Sequence, residues 1–298
     1  MKMNVLRVLA IALMALAVSC AGNDEISENK TVSEMDGYTN LVFNVSGLTV
    51  TQQPTRAALS EAFTMLELVL YKVGDDGSYT KYMEVDQNSA SATFGVVSLE
   101  NVKYGNYRLV VLGHSDTAHP DLDDPTDVAF TGFPNAYIHS SDIVVGKNTT
   151  TIDVPMTHAV ARVRFALTGH IPDEAQKLQL TFEGVSNNLN AVTGFASTSV
   201  ERVVALDITD KHRSANAINI SAFTFLPADE LTADVSNVSV KLSGLDALNN
   251  VIESKEYNNV PLKKGYSTVF SGVFFDYGST GFNITVDATW NVYANVEF

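Results

Sequence analysis

One cysteine, six histidines and one dense run of carboxylates are the residues in this 298-residue chain whose types could do chemistry. Cys20 is the only thiol, so no internal disulfide can form, and stability must come from packing and backbone hydrogen bonds. The histidines are scattered at His114, His119, His139, His158, His170 and His212. None stands in the spacing that sets two imidazoles on one helix face for zinc. There is no Gly-x-Ser-x-Gly nucleophile elbow and no phosphate-binding Gly-rich loop. The carboxylates gather in His114–Asp127 as Asp116, Asp121, Asp123, Asp124 and Asp127. A hard cation such as calcium takes clustered carboxylates, but this stretch lacks the glycine turn and terminal glutamate of an EF-hand loop, and Pro120 and Pro125 interrupt it. It reads as a solvated loop. We expect no metal, no cofactor and no enzymatic activity.

The elements that carry these residues begin with a signal. Lys2 and Arg7 precede an apolar run from Val8 to Val18, which ends Ala17-Val18-Ser19-Cys20. A positive start, a short apolar core and small residues at its end make an export signal. The run is too short for a stable membrane span. The residues after Cys20 are polar and without periodicity, which predicts a flexible tether over 20–36. Loss of Lys2 and Arg7 with the signal takes the formal charge from −15 to −17. So acidic a chain does not bind nucleic acid by neutralising phosphates, and anionic lipid repels it unless it is tethered.

Beyond the tether the pattern is period two. Candidate strands are Leu41–Val50, Met65–Val73, Thr80–Val85, Ala92–Leu99, Asn106–Gly113, Tyr137–Val145 and Thr149–Pro155, with Asp75-Asp76-Gly77-Ser78 as a hairpin turn. A second series is Ala159–Leu167, Lys177–Phe182, Ser199–Leu206, Ala217–Phe225, Val235–Leu242, Val251–Tyr257, Ser267–Phe275 and Phe282–Phe298. Many short strands separated by turn residues predict all-β sandwiches, placed at 37–156 and 157–298. Helix is expected only over Ala57–Ala62 and from Pro172-Asp173-Glu174-Ala175, where proline suits a first helical position. The last segment alternates strictly: Phe282, Ile284, Val286, Ala288, Trp290, Val292, Ala294, Val296 and Phe298 share one parity. That exceeds an ordinary strand of about 5–6 residues and predicts one face buried for its whole length, inside its own domain or in a neighbour.

Small residues directly before Cys20 resemble the bacterial lipoprotein box, which implies cleavage before Cys20 and lipid on it. The Asn23-Asp24-Glu25 cluster resembles the acidic export signal of surface lipoproteins in Bacteroidota. Further on, Leu41-Val42-Phe43-Asn44-Val45, Thr55-Arg56-Ala57 in a loop, and Leu68-Val69-Leu70-Tyr71-Lys72-Val73 before an Asp-Gly turn follow in order. So do Tyr104-Gly105-Asn106-Tyr107, His158-Ala159-Val160-Ala161-Arg162-Val163-Arg164-Phe165 and the stretch from Lys264-Gly265-Tyr266 to Trp290. Together these resemble the fimbrillin superfamily of Bacteroidota. The length is closest to its FimB/Mfa2-type fimbrial anchor lipoproteins.

The resemblance implies two tandem transthyretin-like Greek-key β-sandwich domains and a structural role in a fimbrium. Stalk subunits of that family lose their first strand to a protease that cuts after an arginine, here Arg56. A neighbour's C-terminal strand fills the vacated groove, here a donor built on Val292, Ala294, Val296 and Phe298. An anchor keeps its lipid and ends the fibre at the outer membrane, on the cell surface. The expected partners are other fimbrial subunits and the membrane, with no nucleic acid. Asp116-Thr117-Ala118 matches the short O-glycosylation sequence of Bacteroidota, at Thr117. The rivals are a stalk or tip fimbrillin or adhesin, and a glycan-binding surface lipoprotein. The sole tryptophan, Trp290, lies on the apolar parity, as a core residue would.

Overall fold

Period-two alternation becomes strand almost everywhere the pattern predicts it. The computed structural model describes residues 37–46, 56–227, 238–260, 262–275 and 283–287. The first half runs β1 (Tyr38–Ser46), α1 (Arg56–Ala62), β2 (Met65–Val73), β3 (Tyr79–Asn88), β4 (Val96–Lys103), β5 (Gly105–His114), β6 (Val128–Ala129), β7 (Ala136–Val145), β8 (Thr151–Pro155) and β9 (Thr157–His158). A three-stranded sheet ordered β4-β1-β8 faces a five-stranded sheet ordered β3-β2-β5-β7-β9. Leu41, Phe43 and Val45 of β1 meet Leu66, Leu68 and Leu70 of β2 in the core between them. The β2–β3 hairpin closes at the predicted turn. There Gly77 takes φ +81°, a left-handed conformation that costs a side-chain-bearing residue, and Ser78 N–H donates to Asp76 Oδ1 at 2.9 Å.

The second half runs β10 (Val160–Thr168), β11 (Lys177–Val185), β12 (Asn188–Asn190), β13 (Phe195–Ala196), β14 (Val200–Asp207), α2 (Asp210–Ala215), β15 (Ala217–Phe225), β16 (Ser239–Leu245), β17 (Val251–Tyr257), β18 (Ser267–Val273) and β19 (Asn283–Asp287). It too is a sandwich, of β15-β10-β18-β19 and β14-β11-β16-β17. Phe165 and Phe270 stack at its centre, 4.4 Å between centroids and 10° from parallel.

The halves share a third core. Odd residues of β2 and even residues of β5 point away from the first sandwich core. There Val69, Tyr71, Val110 and Leu112 pack with Ala159, Val160, Leu189 and Phe225 of the following segments. A small sheet ordered β13-β12-β6 stitches the same seam, with Leu189 paired to Val128. Phe130 lies 5.3 Å from Phe225, and Arg202 sits 3.8 Å over the Phe133 ring. β9 still pairs with β7, so the chain leaves the first half's sheet only at Val160.

Three expectations change. Pro172–Ala175 makes a turn, with Ala175 N–H donating to Pro172 C=O at 3.1 Å, and no helix. The Arg213 guanidinium donates to the Pro172 and Ala175 carbonyls and ties this turn to the segment that carries Arg213. The helix in this region is α2 instead, entered at Thr209 and closed by Asn216 in the left-handed conformation. Finally, His114–Asp127 is only partly solvated: Pro120, Leu122 and Pro125 are buried, and Tyr71 Oη donates to Leu122 C=O at 2.6 Å.

Candidate functional site

The residues of β1 alternate so that Leu41, Phe43 and Val45 are buried while Val42 and Asn44 are half-buried. The strand has a partner on each edge. β4 runs antiparallel to it, with Phe43 opposite Val97 and Leu41 opposite Leu99. β8 runs parallel, with Phe43 opposite Ile152 and Val45 opposite Val154. Side chains tie its start: Asn101 N–H donates to Asn40 Oδ1 at 3.0 Å, and Thr39 Oγ1 to Thr149 C=O at 3.2 Å. At its end Val45 N–H donates to Gly95 C=O at 2.8 Å, and Met156 N–H to Ser46 C=O at 2.7 Å. Gly95 takes φ +88°, and a Cβ there would run into Leu59 of α1.

Removing β1 would open a slot with ladder groups free on both walls and three apolar holes on its floor. Burial of a Val, Leu or Phe side chain contributes roughly 1.5–3 kcal/mol. The slot therefore offers a replacement strand on the order of 5–9 kcal/mol before its ordering entropy is counted. Strand addition of this kind takes affinity from main-chain bonds and specificity from alternate side chains.

The sequence-predicted residues are placed as follows. Arg56 is the first residue of α1, not a loop residue, and buried Leu59 and Ala62 fix that helix on the first core. Cys20, Val292, Ala294, Val296 and Phe298 lie outside the described residues, as does Trp290. Of the C-terminal segment, β19 is described. It pairs antiparallel with β18, Ile284 opposite Phe270. Within this chain Ile284 is 45% exposed, so its own domain does not bury that parity at this position. β19 is one of the two outer strands of its sheet and, among the described residues, has a neighbour on one side only.

Thr117 is exposed, and its N–H donates to Asp116 Oδ1 at 2.8 Å. Burial works against ionisation of Asp116, but hydrogen bonds from Gly132, Thr131 and Thr117 outweigh it and hold the carboxyl below its ordinary range. The other carboxylates of this segment serve its own turns or its neighbours. Asp123 pairs with Lys81 at 2.7 Å, Asp124 accepts from Thr126, and Asp127 accepts from Asn188 at 2.9 Å. Among the described residues no cluster of three or more His, Cys, Asp or Glu is placed to hold a metal, and no helix is long and apolar enough to cross a membrane.

Sequence reasoning missed Glu67. It stands at an inward position of β2, 2% exposed, with His119 Nδ1 2.6 Å from its Oε1 and His114 Nε2 3.3 Å away. Its hydrogen bond to Glu67 leads the causes that raise the His119 pKa above the ordinary value. A charged residue between Leu66 and Leu68 was the available signal. It pins the acidic segment to the sheet.

Comparison with known proteins adds the following. The profile of DUF6562, a family of unknown function, matches residues 33–295, so the chain belongs to that family. No curated protein matches the chain. A candidate adhesin from Bacteroides ovatus ATCC 8483 is similar in structure, with TM-score 0.53 and 11% identity over 81% of this chain and 90% of that one. A second candidate adhesin from Bacteroides ovatus gives 0.52 and 13% over 84% and 94%. The fimbrial anchor protein Mfa2 from Porphyromonas gingivalis gives 0.42 and 9% over 78% and 90%, too loose a likeness to carry an argument. These identities establish the fold and nothing more.

Proposed function

We propose that this DUF6562 protein is a non-enzymatic cell-surface lipoprotein that serves as a structural fimbrial subunit, the anchor that holds neighbouring subunits at the outer membrane by β-strand addition. The observation that carries this reading is β1. It is the first described strand, it is held on both edges, and it fills three apolar holes of a core that the rest of the chain builds. Cys20 precedes β1 and Arg56 follows it. Lipid on Cys20 therefore stays with the sandwich only while the chain between them is whole. Two or three acyl chains make a lasting anchor, since each buried methylene contributes about 0.8 kcal/mol.

The mature N-terminus on intact cells tests the assignment. An anchor yields chains that begin at lipidated Cys20. A polymerised stalk subunit yields chains that begin at Ala57, with residues 20–56 lost; recovery mainly of these within fibres rejects the anchor role. Cys20→Ser should release a soluble protein or leave an unprocessed precursor. Unchanged membrane retention with normal signal removal would sink the lipid assignment. For the donor segment, Val296→Asp with Phe298→Asp should block incorporation into fibres if the tail docks in a neighbour. If it packs at home, the pair should lower the monomer's melting temperature instead.

A further inference from the structure

An open cleft of about 230 Å³ lies where the two halves meet. Its floor is β7 at Ile138–Ser140, one wall is Pro155 and Thr157, and the other is Val192–Gly194 with Lys264. Two features set it apart. No acidic residue lines it, although the chain carries 34 acids against 19 bases. And it holds a half-buried ammonium with no carboxylate partner among the described residues. Lys264 Nζ donates to Gly194 C=O at 3.3 Å and sits 4.5 Å over the Phe195 ring. Gly194 has no side chain to block that approach: a Cβ there would come within 3.2 Å of Nζ. Burial depresses the Lys264 pKa, so its charge is under-compensated.

The remaining lining is hydroxyl-rich with spare acceptor capacity. Thr157 Oγ1 donates to Ile138 C=O at 3.3 Å, and Thr193 Oγ1 to Asn190 C=O at 3.4 Å. Each oxygen keeps lone pairs for a donor from outside. Behind the floor, the Ser140 hydroxyl is buried and lacks a partner among the described residues. So does Arg108 Nε, on the guanidinium that donates to Val192 C=O at 3.3 Å.

One positive charge, several hydroxyl acceptors and no negative charge fit a ligand with one carboxylate and many hydroxyl donors. We propose that this cleft binds the terminal acidic sugar of a glycan, with the Lys264 ammonium on the sugar carboxylate and Thr157 and Thr193 accepting from ring hydroxyls. Thr157, Thr193 and Pro155 are exposed at the rim, which leaves a way out for the rest of the glycan. The site is independent of β1 and of any role in assembly.

Methyl β-D-glucuronide titrated into the full chain tests this, read by calorimetry and by amide shifts. Saturable binding is expected, with shifts confined to residues 138–140, 155–157, 192–194 and 264. Methyl β-D-glucoside, which lacks the carboxylate, and acetate, which lacks the ring, should bind at least about tenfold more weakly. Lys264→Met should abolish binding and leave melting unchanged, while Lys264→Arg retains it. Thr193→Val, at an exposed position, should weaken binding several-fold if Lys264→Met fails to fold. No saturable binding of the glucuronide at millimolar concentration would overturn the proposal. So would equal binding of the glucoside, equal binding of acetate, or full affinity in both Lys264→Met and Thr193→Val.

Discussion

The two halves place their first strands alike and finish their sheets differently. β1 lies between antiparallel β4 and parallel β8, and β10 lies between antiparallel β15 and parallel β18. In the second half β19 then covers the outer edge of β18. In the first half β8 is the edge, with no further strand among the described residues. Among the described residues the second half thus extends its sheet with a strand from late in the chain, while the first has a central strand that enters from the N-terminal side. An edge strand offers unpaired backbone groups to other chains, and short, charged or proline-containing edges blunt that risk. β8 is five residues long and carries Asp153 and Pro155.

The closest test of this equivalence is the paired core. Phe43 in β1 and Phe165 in β10 are both fully buried. Phe43→Ala and Phe165→Ala should each cost about 3–5 kcal/mol in denaturant unfolding. A cost for Phe43→Ala below about 1 kcal/mol would show β1 to be weakly held and break the comparison. Next comes the seam. Phe225→Ala removes the contact with Phe130 and should cost about 3–4 kcal/mol while one calorimetric transition persists. Two separate transitions in the parent chain would show instead that the halves unfold alone.

Acid should sharpen the contrast between two histidine sites. Burial, helped by the Arg162 charge, pushes His158 down to about 4, and burial also lowers His139. A depressed histidine contributes stability that is whole above its unfolded value of about 6.5 and is lost as pH falls toward the folded value. His119 runs the other way: its raised pKa gives stability that is whole below about 6.5 and lost as pH rises through the folded value. Between pH 6.5 and 4 the His158 loss should dominate, on the order of 2–3 kcal/mol. His158→Gln should flatten the fall in melting temperature over that range, whereas His119→Gln should lower the melting temperature across it without changing its slope and remove the loss seen as pH rises above about 6.5. An unchanged profile in both variants would remove these histidines from the account. The smallest effect belongs to the outer strand. Ile284→Asp should shift stability by only about 0.5 kcal/mol, since the side chain is half exposed, whereas a larger loss would mean that β19 is covered.

The strands were legible because alternation is local. β2, β15 and β17 fall where the pattern put them, and the Asp-Gly turn closes the hairpin it announced. Short pieces were not legible. β6, β12 and β13 are two or three residues long, below what a period can register, and only the partner strand makes them strands. At Pro172 the proline start signal is followed by a single turn, and its carbonyls are tied to a residue far away in sequence, Arg213.

The sites divide the same way. The lone Cys20, the acidity and the all-β character follow from residue order and type, because each depends on composition or on neighbours along the chain. The seam between the halves, the pinning of His119 by Glu67, the cleft around Lys264 and the enclosure of β1 depend on residues far apart in sequence. Hydrophobic periodicity says that a strand has an inner face. Only the packed sheets decide which residues meet there, because burial and pairing are properties of the space between elements and not of any one of them.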